Sequence, residues 1–360
     1  MLLRYSLPRV PKRGYGLGNE LIPWARAFLA SEVLNATLLP PAFGLNRRPY
    51  WRHFRTAADD WVYRRALPRI FPAVEFNEAD YLEHGGGDVV MALRSFAVAH
   101  RLHERSMYVL VTQGMWGGFH HIQAARDFIR ATLYRSRYAA RNLLQLRSRI
   151  DPHRILVAMH VRLGDFAPPR AAGDYHSSWN VSLPIDWFCN IAAELQRAYA
   201  DRWQLLVISD GSPEQLQPLI GAFPCIITAD LAHGDCSDAL ALAGADLLVC
   251  STSSYSWLAA FLSEAPYLWF APNLHVHAEG CQTLGDAPAG PTPYDPKQIA
   301  VRHYLGEGTA AHWRGTGVGS GARIPHSVLE AVERHHRYGR WESDLVRGGA
   351  APVDAGASQS

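Results

Sequence analysis

Lysine is almost missing from this 360-residue chain. Of its 35 basic residues only Lys12 and Lys297 are lysines. Nearly every positive charge is therefore a guanidinium, which can fork onto a carboxylate or a phosphate. The formal net charge of +2 gives no pull toward nucleic acid or a membrane surface. Cysteine is scarce too: five residues, Cys189, Cys225, Cys236, Cys250 and Cys281, contain no C-x-x-C and leave an odd count. That argues against a disulfide framework and for reduced thiols in a cytoplasm. No apolar signal core opens the chain, and no run of about 18 apolar residues occurs, so a cytoplasmic protein without a transmembrane segment is expected. There is no P-loop lysine motif and no D-x-D. The second absence disfavours a nucleotide-sugar site built on a metal ion, so no metal and no cofactor are expected.

What is present is organised around residues 154–165, RILVAMHVRLGD. A short continuous apolar run reads as a strand buried on both faces. His160, Arg162 and Asp165 fall at its carboxyl end and in the turn after it, where open parallel sheets bind ligands. Arg162 can grip a phosphate there; in the bland alternative it only pairs with Asp165 to tie down the turn. After this strand, helices and strands alternate. Helices are expected over 184–200, 213–220, 237–243 and 257–263, and strands over 203–208, 225–228, 246–250 and 267–270. Such βα repetition implies a parallel sheet flanked by helices. Asp210 ends the second strand, and Ser237-Asp238 can cap the third helix. The hydroxyl-rich stretch 251–256, with Ser251, Ser253, Ser254 and Tyr255, opens the fourth. Simple N-capping explains one of its hydroxyls and not five, so an anion site is favoured.

Ahead of this lies a smaller set of elements. A strand over 2–7 leads through a Gly-rich turn, with Gly18, Asn19 and Glu20, into a helix over 21–34. The G-x-G-x-G spacing and the lack of a ribose-binding acid make a dehydrogenase fingerprint unlikely to apply. Further strands are expected over 37–39 and 108–112, and helical patterning to about 149. His120-His121 are adjacent and make a poor chelate. The aromatics Tyr50, Trp51, Trp61 and Tyr63 read as core more than as sugar platforms. Residues 273–321 are Gly/Pro-rich and poorly patterned, with His275 and His277 a weak metal signal, and one more helix is expected over 325–341. The boundaries read as 1–150, 151–345 and a disordered tail 346–360.

His160-Val-Arg162-Leu-Gly-Asp165 resembles the H-x-R-x-G-D motif of the fucosyltransferase superfamily, which includes α-1,2-, α-1,6- and protein O-fucosyltransferases. Residues 208–211 (ISDG) and 246–257 (DLLVCSTSSYSW) are similar to its second and third motifs, the last most like the α-1,2 enzymes. Residues 16–20 (GLGNE) resemble its opening G-x-G-N-Q. Many relatives carry H-x-R-R, where this chain has Leu163, and Glu20 replaces the usual Gln. The resemblance implies an α/β GT-B fold, two Rossmann-like domains facing a central cleft. It implies inverting, metal-independent transfer from GDP-fucose or a related GDP-sugar to a hydroxyl acceptor. By motif position Arg162 would bind the leaving diphosphate, and His160 and Asp238 would contact guanosine. Ser253, Ser254 and neighbouring amides would hold the diphosphate, and Gly18 and Asn19 would approach from the other domain. Asp165, Asp210, Ser251 and Tyr255 complete the expected donor site. Asp174, in the loop after Asp165, and Glu20 are the candidate bases. The competing classes are a nucleotide-sugar-binding protein without transfer activity and a sulfotransferase-like enzyme.

Overall fold

The computed structural model describes residues 2–9, 16–41, 48, 50–54, 66–85, 88–114, 116, 118–119, 122–170, 181–273 and 314–339. In chain order the first elements are β1 (Leu3–Arg9), α1 (Leu17–Leu34), β2 (Thr37–Leu38), β3 (Ala73–Phe76), α2 (Glu78–Glu83), α3 (Val89–Ala99) and β4 (Met107–Gln113). Helices α4 (Arg126–Tyr134) and α5 (Ala139–Arg147) follow. Then come β5 (Ile155–Val161), α6 (Ile185–Tyr199), β6 (Trp203–Ser209), α7 (Pro213–Ile220), β7 (Cys225–Ile227) and α8 (Asp235–Ala243). The described chain ends with β8 (Leu247–Cys250), α9 (Ser254–Leu262), β9 (Tyr267–Phe270), β10 (Gly315–Val318) and α10 (His326–Arg334).

The strands form two all-parallel sheets, as expected of an α/β chain. One has the order β2-β1-β4-β3 and the other β10-β9-β8-β5-β6-β7. Counted by rank from its β7 edge, the second sheet runs 3-2-1-4-5-6. Strand order reverses between β5 and β8, and in such sheets that switch point is where ligands bind.

All seven residues of β5 are buried. Ile155, Val157, Met159 and Val161 face one apolar cluster, and Leu156 and Ala158 the other. The unbroken apolar run is thus what two covered faces require. On the first face lies α6, whose Trp187, Phe188, Ile191, Ala192, Leu195 and Tyr199 recur at helical spacing. On the second face the cluster is continuous from this sheet through α8, α9 and α1 to the first sheet. Helices α1 and α9 are buried almost all round because both sit between the sheets. Phe261 of α9 stacks on Phe119, with ring centroids 5.1 Å apart.

Several sequence expectations shift. The helix expected from residue 21 begins at Leu17, so Gly18, Asn19 and Glu20 lie in its first turn. That expected at 237 begins at Asp235, and that expected at 257 begins at Ser254. In α8, Ser237 and Asp238 are inside the first turn and do not cap it; the cap position is Gly234. The pattern to residue 149 is two helices, and the last helix gives way to a π-helical turn over His335–Gly339. The poorly patterned 273–321 stretch contains strand β10, which lacked an apolar run because Gly315 and Gly317 stand against the Tyr267 and Trp269 rings. Tyr50 is core, whereas Trp51 is 46% exposed. His120, His121, Trp61, Tyr63, His275, His277 and the tail lie outside the described residues. Among the described residues no helix is long and apolar enough to cross a membrane, and Cys189, Cys225, Cys236 and Cys250 are free thiols.

The N-termini of α1 and α9 meet at Gly18. A Cβ there would stand 2.5 Å from the Ser254 carbonyl oxygen and 2.8 Å from its carbon. Helix propensity alone would make Gly18→Ala stabilising by about 1 kcal/mol. The backbone contact reverses that sign, and we predict a net loss of about 1–3 kcal/mol in urea unfolding. A variant more stable than the wild type would mean that the helices do not approach this closely.

Candidate functional site

The turn after β5 is built by charge. Arg162 is 15% exposed and forked between two carboxylates, Nη2 at 2.6 Å from Asp165 Oδ1 and Nη1 at 2.8 Å from Asp210 Oδ2. Asp210, at the end of β6, also accepts the N–H of Leu163 at 2.9 Å and that of Gly164. Burial pushes the Asp210 carboxyl up. The Gly164 and Leu163 N–H groups and the Arg162 charge outweigh that and hold it below its ordinary value. The space beside Gly164 is filled by Asp210, whose Oδ2 would lie 2.6 Å from an added Cβ. The simple expectation that Arg162 pairs only with Asp165 is therefore incomplete. The reading of Asp210 as free to take a base or ribose is corrected, because its oxygens serve this turn.

A third charge arrives from the other half of the chain. Arg48 Nη2 lies 2.8 Å from Asp165 Oδ2. Arg48 also bonds the hydroxyl of buried Tyr50, which in turn accepts the N–H of Leu17 at the start of α1. Sequence reasoning missed Arg48, and nothing local marks it, since its partner is 117 residues away.

The hydroxyl-rich loop after β8 is mostly structural, which corrects the expectation for Ser251 and Ser253. His160 points from β5 into the covered face. Its Nδ1 lies 2.7 Å from Ser256 Oγ and 3.1 Å from Ser251 Oγ. The Ser251 N–H donates to Ser256 Oγ at 3.0 Å. Ser253 caps α9 by accepting the Tyr255 N–H at 3.2 Å, and Thr252 donates to the Val181 carbonyl at 3.4 Å. Four of the five hydroxyls are thus engaged within the fold. The fifth, on half-buried Ser254, faces Gly18. What remains for a ligand is the helix N-terminus with its orphan N–H groups. His160 is 4% exposed. Burial, then the Arg162 charge, push its imidazole down to about 3, so it is neutral and holds the loop.

Asp238 faces α9 from the first turn of α8. One oxygen accepts the Thr228 hydroxyl at 3.3 Å, and the other is buried without a hydrogen-bond partner among the described residues. Burial pushes this carboxyl up to about 8, with the Asp235 charge adding to it. The Tyr255 hydroxyl donates to the Asp235 carbonyl, and its ring lies 5.1 Å from that of His160. Asp235 Oδ2 meets His53 Nε2 at 3.1 Å, and His53 Nδ1 meets Ser136 Oγ at 2.9 Å. His53 and Asp235 were also missed by sequence reasoning.

No family model matches the chain, and no curated protein does either. Similar solved structures include two of a fucosyltransferase. One is the fucosyltransferase NodZ from Bradyrhizobium, at 14% identity and a TM-score of 0.43, covering 73% of this chain and 94% of that one. The other is the NodZ α-1,6-fucosyltransferase soaked with GDP-fucose, at 14% identity and a TM-score of 0.44, covering 75% and 94%.

The structure thus brings together at one sheet edge His160, Arg162, Asp165, Asp210, Ser251, Ser253, Ser254, Tyr255 and Asp238, with Gly18 against Ser254 from the first half. Asn19 is half-buried in the same helix turn. Glu20 is 5% exposed inside α1, which corrects its placement on an open turn. Asp174 lies outside the described residues. Among the described residues no group of three or more His, Cys, Asp or Glu is placed to hold a metal ion.

His160 and Asp238 give opposite pH slopes. The lowered His160 means that, between about pH 3 and 6.5, the unfolded chain binds a proton the folded one does not. Its contribution is complete above 6.5 and is lost as pH falls. The raised Asp238 holds a proton in the folded state between pH 3.8 and about 8, so its contribution is lost as pH rises through that range. Stability followed by urea unfolding should peak between the two. Asp238→Asn should match the wild type in mild acid and exceed it above pH 8. If it is no more stable there, the carboxylate has a stabilising partner.

Proposed function

We propose that this protein is a glycosyltransferase that moves fucose, or a related sugar, from a GDP-sugar to a hydroxyl acceptor, with inversion and without a metal. The observation that carries the reading is the placement, after the carboxyl ends of the paired switch-point strands β5 and β8, of a fixed guanidinium, Arg162, and of the N-terminus of α9. Both favour negative charge, and a leaving nucleoside diphosphate develops it. The motif resemblance supplies the nucleotide and the sugar. In this reading residues 151–345 form the donor side and residues 1–150 the acceptor side of a cleft. Arg162 binds the diphosphate with the α9 amides and Ser254, and Asn19 reaches it from α1. Arg48 supplies a second guanidinium where Leu163 leaves the H-x-R-R pattern short. The unsatisfied Asp238 oxygen suits guanine, whose edge offers two N–H donors where uracil offers one. As GDP leaves, the acceptor hydroxyl loses its proton, and the carboxylate proposed for that step is Asp174.

Thermal shift tests the donor first. At about 100 times its dissociation constant, GDP should add about 2.7 kcal/mol of stability, and UDP far less. Equal stabilisation by both would sink the guanine assignment. Arg162→Ala should lose most turnover of GDP-fucose, and Arg162→Lys should recover little of it, because an ammonium does not reproduce the planar fork. Near-wild-type turnover in the Lys variant would reduce Arg162 to a point charge. Turnover is expected to persist in excess EDTA; loss that added Mg²⁺ restores would refute the metal-free mechanism.

A further inference from the structure

We infer that the cavity between α1, α4 and the 50–54 turn is a binding site for an organic anion, an aryl or alkyl body carrying a carboxylate, phosphate or sulfate. The cavity measures about 640 Å³, the size of a small-molecule site. Its apolar wall is made by Trp24, Phe54 and Phe128. The Trp24 ring meets Phe54 edge-on at 5.5 Å and Phe128 edge-on at 5.7 Å. Phe128 is itself stacked on Phe28 at 4.2 Å. The rings brace one another, so the hollow is held open by packing that is already in place.

The polar side of the cavity has one sign. Arg135 and Arg137 line it, and among the described residues no acidic side chain does. Both are exposed, and neither makes an ion pair with a carboxylate among the described residues. Most of the arginines discussed above have such a partner. Arg135 stands at the C-terminus of α4, where the helix dipole favours a cation. That does not account for Arg137, two residues beyond it. Among the described residues its other polar groups are the Thr132 hydroxyl and His53, whose two ring nitrogens already meet Ser136 and Asp235, so guanidinium donors outnumber the acceptors that would read a neutral sugar. An apolar pocket rimmed by two unpaired guanidinium groups instead fits an anion with an apolar body.

The site is separate from the proposed diphosphate site but joined to it. His53 lines the cavity and meets Asp235 at 3.1 Å, and Tyr255, beside His160, donates to the Asp235 carbonyl. The ligand chemistry follows from the cavity alone and does not rest on the donor reading.

Calorimetric titration of the full chain tests it, with 4-hydroxyphenylacetate and its neutral amide as probes. The acid should bind about tenfold tighter than the amide, as a close charge pair allows. Raised salt should weaken the acid alone. The double variant Arg135→Gln, Arg137→Gln changes only exposed side chains and should abolish the preference. Equal affinities, no binding of either probe, or a preference that survives the double variant would overturn the inference. So would displacement of the acid by GDP, which would place it on the diphosphate site. GDP titrated into the same sample separates the two readings. Acid binding without GDP binding keeps this site and sinks the donor assignment, and the converse does the reverse.

Discussion

The grip of Asp210 on the turn after β5 fixes where a ligand can be met. One carboxylate accepts two backbone N–H groups, pairs with Arg162 and fills the space beside Gly164. Each charge-assisted bond contributes about 1.5–3 kcal/mol, toward the low end here because Asp210 is 32% exposed. The geometric effect matters more than the sum. His160, on β5, turns under α9 to Ser256 and Ser251, and Arg162, two residues on, reaches Asp165 and Asp210. Asp210 then stops the guanidinium from swinging into solvent. A free arginine would sample many rotamers and lose that freedom on binding; this one has already lost it.

The same economy of motion holds across the two sheets. A cleft between independent halves would have few buried polar links spanning it. Here His53 meets Asp235, Asn142 donates to Ser237 Oγ at 3.1 Å and to the Ala232 carbonyl at 3.0 Å, and Arg130 donates to the Leu262 carbonyl at 2.6 Å. Breaking any of these strands a buried polar group, which costs more than the bond was worth. With the apolar cluster continuous through α1 and α9, the helix N-termini are held in register by the core itself. Gly18 is the point at which that register is tightest.

How much of this was legible in the sequence depends on the range of the forces involved. The βα alternation from 154 to 270 was readable because strands buried on both faces run apolar: β8 and β9 are wholly so, β5 all but His160, and β6 over 205–208. Three helix starts, those of α1, α8 and α9, were placed late by two to four residues; in α8, Ser237 and Asp238 look like caps but lie inside the first turn, and before α1 Gly16 gives no side-chain signal. The serine loop was read as an anion site with free hydroxyls, and four of them are engaged within the fold. Its hydroxyls answer to His160, about 90 residues away, and no pattern within the loop reports that. Arg48 and His53 were invisible for the same reason in stronger form, because only the fold gives them partners. Strand β10 escaped because its pairing edge needs glycine, not apolar bulk.

Arg48, Asp165, Arg162 and Asp210 form a chain of alternating sign that sums to zero. An anion of two or more charges gains little from a neutral network unless a carboxylate yields. The two carboxylates are not equal. Asp210 is tied by backbone N–H groups as well as by Arg162, and removing it would undo the turn. Asp165 is 51% exposed and, among the described residues, held by guanidinium groups alone, so each of its pairs is weak and screened. Asp165 can therefore swing out to water at small cost, whereas Asp210 cannot. In the donor reading, the phosphate takes over the two guanidinium groups that Asp165 releases. Arg162 keeps its position throughout, because the bond that orients it is the one to Asp210.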